Sequence, residues 1–99
     1  MAVKHIALFS FRDSVKPDEL ANTLALIGSL PRLVPGILSY EAGSYSSPEG
    51  LNQGLTHGFI MTFKDAATRD AYLVHPEHER IKSLVVLLLS NVVVFDFET

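Results

Sequence analysis

At 99 residues with a formal net charge of −3 and scattered charges, the chain is sized for a single domain over residues 1–99 and has no basic patch to attract nucleic acid or an anionic membrane. The absence of cysteine excludes disulfides and thiolate chemistry. The start, Met1 to His5, lacks the apolar core of a secretory signal, and the apolar run 83–95, broken by Ser90 and Asn91, falls short of the ~20 residues of a membrane span, so a cytoplasmic protein off the membrane is expected.

Val3 to Phe11 reads as a strand, aliphatic and aromatic and without glycine. Val3, His5, Ala7, Phe9 and Phe11 share one face, while Lys4, Ile6, Leu8, Ser10 and Arg12 share the other. Both faces are apolar at mid-strand, which predicts a central strand covered on both sides. After a turn at Asp13 to Val15, Pro17, Asp18 and Glu19 open a helix with proline first and acids at the positive end of the dipole, although Lys16 is a poor capping residue. Leu20, Leu24, Ile27 and Leu30 follow the helical period, and Pro31 with Pro35-Gly36 closes the segment.

Ile37 to Tyr45 reads as a second strand, followed by a loop, and Thr56 to Phe63 as a third, with His57, Phe59, Met61 and Phe63 on one face. The loop from Ser46 to Leu55 is long for a hairpin and is expected to reach a second subunit, with Leu51 as its apolar anchor. Asp65 is placed to cap a short helix ending at Tyr72 or Leu73. Pro76 pushes His75 out of helical geometry and itself starts a further helix, reaching to about Leu89. Tyr72 and His78 then flank a bend that gathers a phenol and an imidazole. Asn91 to Phe97 is the last strand, dense in β-branched and aromatic residues. The alternating Phe9, Phe11, Phe59, Phe63, Phe95 and Phe97 are read as core.

The order β-α-β-β-α-α-β is the ferredoxin-like pattern of an α+β domain: a four-stranded antiparallel sheet with helices on one face. Its other face would carry Ile6, Leu8 and Ile60, with Val92 and Val94 or Val93 and Phe95. An apolar sheet face of that size predicts a homodimer built face to face.

The histidines admit several roles. A neutral His78 could take a proton at neutral pH, and Tyr72 could hydrogen-bond a developing oxyanion. On residue type alone the commoner outcome is a packed tyrosine and a helix-end histidine. His5 and His57, each on an apolar strand face, are more often structural, and His75 is most simply a cap. A His-x-x-His pair with no completing carboxylate or thiolate does not make a metal site, so no metal is expected.

Val3-Lys-His5, Gly50 to Gly54, Thr56-His57-Gly58, Tyr72 to His78 with its His-Pro-x-His element, and the ending Val94-Phe-Asp-Phe97 resemble the stress-responsive A/B barrel (Dabb) family over essentially the whole chain. The resemblance implies a dimeric α/β barrel, with a small hydrophobic ligand as a possible partner. One kind of member is a plant polyketide cyclase that closes a linear polyketide thioester by intramolecular aldol condensation without a cofactor. By motif its catalytic tyrosine and histidine fall on Tyr72 and His78, and its supporting histidines on His5 and His57. Thr23, Leu24 and Ile27 stand where that cyclase carries bulky aromatics, Ala7 is small, and Phe9 and Met61 are large, so the pocket implied here, with Phe59 and His75 also near it, has its own shape. Some relatives hold a cation through main-chain carbonyls near Leu33 to Ile37, an arrangement without a side-chain signature.

Overall fold

A computed structural model describes all residues from Met1 to Thr99. Its elements run β1 (Val3–Phe11), α1 (Pro17–Ile27), α2 (Leu30–Leu33), β2 (Ile37–Ser44), β3 (His57–Phe63), α3 (Ala66–Leu73), α4 (Pro76–Val85) and, after a 3-10 turn at Val86–Leu88, β4 (Leu89–Glu98). The strands form one antiparallel sheet in the order β2-β3-β1-β4, which is the expected ferredoxin-like arrangement with β1 central.

Register sets which side chains meet. His5 lies opposite Met61 and Asp96, and Ala7 opposite Phe59 and Val94, so these share the helix-covered face. Val3, Ala7, Phe9, Met61 and Phe63 are buried there under Ile27, Leu30, Val34, Tyr72, Ile81 and Val85 from the helices. Each large side chain fully buried in this layer contributes roughly 1.5–3 kcal/mol of apolar transfer free energy.

The other face carries Ile6, Leu8, Ile60, Val93 and Phe95, which settles the parity of the last strand: Val93 and Phe95 stand on the open side, Val92 and Val94 on the helix side. Phe95 and Phe97 are therefore not in the core of this chain, because they project from a face that no helix covers, with 63% and 45% of their surface exposed.

Three boundaries differ from expectation by more than one residue. The first helix ends at Ile27, and Leu30–Leu33 forms a separate short helix in which Pro31 occupies the first turn, where its missing N–H costs nothing. The helix from Pro76 stops at Val85, short of Leu89, tightening through Val86–Leu88 so that the Leu88 carbonyl accepts from Arg12 N at 2.9 Å. β4 then begins at Leu89, with a register shift at Ser10/Phe11 that leaves Ser90 as the extra residue. No helix is long and apolar enough to cross a membrane.

Candidate functional site

The corner between α3 and α4 is built as its proline predicts. Asp65 caps α3, its Oδ1 accepting from Thr68 N at 2.8 Å and Thr68 Oγ1 at 2.6 Å, which holds the carboxyl below its ordinary range. His75 adopts extended geometry before Pro76, and its Nδ1 accepts from Glu77 N at 3.1 Å. His75 is thus the cap of α4. Tyr72 closes α3 and His78 lies in the first turn of α4, their ring centroids 4.3 Å apart.

Behind this corner lies a cavity of about 280 Å³ between sheet and helices. His5, Ala7, Phe9, Phe59, Tyr72 and His78 line it, and most of the rest of the wall is aliphatic, from Ile27 and Leu30 to Ile81, Val85, Val92 and Val94. Of the residues singled out from the sequence, six meet here. His57 and His75 do not line it. His57 stacks on Phe9 at 6.1 Å near the far end of β1, and its Nδ1 lies 2.8 Å from Thr56 Oγ1.

A larger hollow of about 710 Å³ occupies the opposite side of the sheet, between Ile6, Leu8, Ile60 and Val93 and the loop residues Tyr45 to Leu55. It is a broad concavity on the uncovered apolar face, away from Tyr72 and His78, and fits an interface better than a reaction site.

His78 Nδ1 lies 3.0 Å from the carbonyl of Leu73, one of the carbonyls left over at the end of α3. A carbonyl only accepts, so Nδ1 is the donor, and in the neutral ring Nε2 keeps a lone pair. Burial holds the His78 pKa below 6.5, only partly offset by the Leu73 hydrogen bond and Glu79, so the ring is neutral at pH 7. Burial pushes the Tyr72 phenol well above its ordinary 10, so it remains a hydroxyl at any physiological pH. One base and one O–H donor thus line the same largely apolar cavity.

Sequence reasoning did not find Asp96 or Arg69. Asp96 Oδ1 accepts from His5 Nδ1 at 2.7 Å, and its Oδ2 accepts from Arg69 Nη1 at 2.8 Å. The signal was a lone acid in an apolar strand, on the same parity as Val92 and Val94. His5 is 5% exposed and is held against the edges of Tyr72 and Phe63, with centroids 5.7 and 6.2 Å away. No three His, Cys, Asp or Glu side chains converge as a metal ligand set.

Comparison with known proteins gives one family. The profile of the Stress responsive A/B Barrel Domain family matches residues 3–99. The stress-response A/B barrel domain-containing protein HS1 of Arabidopsis thaliana is 31% identical over 96 residues, 97% of this chain and 88% of that protein. Olivetolic acid cyclase of Cannabis sativa is 23% identical over 97 residues, 98% of this chain and 96% of that one. Among solved structures, a dimeric ferredoxin-like protein of unknown function from Jannaschia sp. superposes with a TM-score of 0.85 at 26% identity, over the whole of both chains.

Proposed function

The chain belongs to the stress-responsive A/B barrel domain family, and from that membership and its cavity we propose that it is a homodimeric domain that takes up a small hydrophobic ligand between sheet and helices. The cavity carries this reading. At about 280 Å³ it is near the lower end of ligand pockets, and 13 of its 16 lining residues are hydrophobic, so apolar area supplies the affinity and a few polar atoms the orientation. The dimer is supported by the uncovered apolar face and by the Jannaschia relative, itself described as dimeric.

The test is titration with short alkylbenzenes, followed by NMR. Ala7→Leu adds three heavy atoms inside the cavity and is expected to weaken binding by about tenfold, the size of a modest steric overlap, with the fold retained. Equal binding by wild type and variant would remove the cavity from consideration.

A second reading is favoured by one observation: His78, whose Nδ1 is taken up by the Leu73 carbonyl, and Tyr72 line the same cavity with their rings 4.3 Å apart. On this reading the protein is a cofactor-independent cyclase or lyase acting on a β-keto substrate, and the cyclase relative lends it support. His78 Nε2 takes the acidic α-proton, and the electron pair moves onto the carbonyl oxygen, which Tyr72 O–H stabilises. The enolate carbon attacks a distal ketone, forming the carbon–carbon bond, and the resulting alkoxide recovers the proton from His78. Tyr72→Phe should slow turnover of a β-ketothioester by about 100-fold, as for loss of one oxyanion donor. No acceleration by the wild-type protein would leave the binding reading alone.

A further inference from the structure

The sheet face that no helix covers is apolar except at two points. Register places alternate residues of all four strands on that face, and among them only Lys4 on β1 and Glu41 on β2 are charged. Lys4 stands between Thr62 and Phe97, while Glu41 lies beside Ile60 and edges the hollow on that face. β3 separates the two strands, so the charges lie about 10 Å apart sideways and two residues apart along the strands. No ion pair within the chain includes either of them. Lys4 gives one of its three N–H donors to Thr62 Oγ1 at 2.8 Å, and Glu41 is exposed. Water serves both charges in the isolated chain. Covering the face removes that water, which is costly for a charge left without a partner.

We propose that these charges pair across the dimer, Lys4 of each chain with the partner's Glu41, and that the crossed pairs set the register in which two copies meet. A twofold rotation that lays Lys4 over the partner's Glu41 makes the reverse contact as well, so all four charges are matched. Stacked sheets lie ~10 Å apart, within the joint reach of an extended lysine and glutamate. On an ideal sheet, with strands ~4.8 Å apart and same-face residues ~6.8 Å apart, this pairing defines one axis. The axis runs midway between Ile6 and Ile60, at the centre of the face, and is tilted about 35° from the strands. The two sheets then cross at about 70°, as opposite walls of an eight-stranded barrel do. The same rotation sets Phe95, 63% exposed, over the partner's Gly58, where a missing side chain leaves the hollow open. Charge and shape thus agree on one axis, although the charges alone defined it. A different protein would have to present one acid and one base at the same spacing. A second copy does so by symmetry.

This pairing rests on the homodimer reading, and its test separates the two. Lys4→Glu sets acid against acid in both crossed contacts, and Glu41→Lys sets base against base. Each variant alone should dimerise roughly 100-fold more weakly than wild type in sedimentation experiments. Mixed in equal amounts, the two variants again offer an acid to every base. The mixture should therefore form a heterodimer of near wild-type affinity, seen by native mass spectrometry with one variant labelled with nitrogen-15. A second measurement needs no variant. A carbodiimide joins an amine to a carboxylate in direct contact as an amide, so wild type should yield a covalent dimer linking Lys4 of one chain to Glu41 of the other. If wild type is a dimer and either variant dimerises equally well, or the mixture gains nothing, the crossed pair is overturned while the dimer stands. Should a variant fail to fold, the wild-type cross-link decides, and a dimer joined elsewhere or not at all overturns the pair. If wild type is a monomer, both readings fall.

Discussion

His78 is the residue at which burial and chemistry meet. Burial depresses its pKa below 6.5, and the hydrogen bond to Leu73 only partly restores it. The consequence for stability has a fixed sign. Between the depressed folded value and 6.5 the unfolded chain binds more protons than the folded one, so stability rises with pH across that window. The contribution is complete above 6.5 and is lost as pH falls through the folded value. Wild type should therefore lose more of its urea midpoint between pH 7.5 and pH 5 than His78→Gln, which cannot titrate. An NMR titration of His78 should give a midpoint below 6.5, and one at or above 6.5 would show that the ring is not desolvated. The same depression keeps Nε2 available as a base in neutral solution, which the catalytic reading needs.

At the scale of elements, the turn into β2 is fixed by one glycine. Gly36 has φ +98°, a left-handed backbone, and a Cβ there would collide with the Thr68 Cγ2 methyl in the first turn of α3. Gly36→Ala should therefore destabilise by about 1–3 kcal/mol, combining backbone strain with the collision. Thr68→Ser removes the methyl but keeps the hydroxyl that donates to Asp65 Oδ1, so in the Gly36→Ala background it should restore part of the loss. Urea unfolding of the four chains checks this, and strict additivity would show that the methyl is not the obstacle. Proline and parity made much of this layout readable in advance. Pro76 announced the corner that joins Tyr72 to His78, and alternation placed His5, Ala7 and Phe9 on one face with Phe59 on the neighbouring strand. The His5–Asp96 pair was not readable, because it depends on which strands are neighbours and in what register. Bulges hid more. The shift between Ile37 and Ser39 leaves Leu38 without a partner and turns Tyr40 and Ala42, not Glu41, toward the helices. The break after Ile27 was equally silent, since Gly28 stays in right-handed helical geometry and the apolar period runs on to Leu30.

As a whole the molecule is a slab, 36 × 31 × 17 Å, with one layer of helices over one sheet. Only 15 of its 99 residues are buried, which leaves the isolated chain a small core and an apolar face in water. Covering that face with a second copy relieves both deficits, because the central strand then has apolar neighbours on both sides. Phe95 tests this cleanly. It lies opposite Ile6 on the open face and is 63% exposed, so its replacement removes little from the chain's own core. Wild type should sediment at twice the 10.9 kDa chain mass, with a melting temperature that rises with concentration, as expected when folding and association are coupled. Phe95→Glu sets two desolvated carboxylates into the same symmetric contact and should shift the protein to monomer at micromolar concentration, with a lower and concentration-independent melting temperature. Should wild type sediment as a monomer, or the variant remain a dimer, the open face is not the contact between copies, and its hollow beneath the Tyr45 to Leu55 loop would need a different occupant.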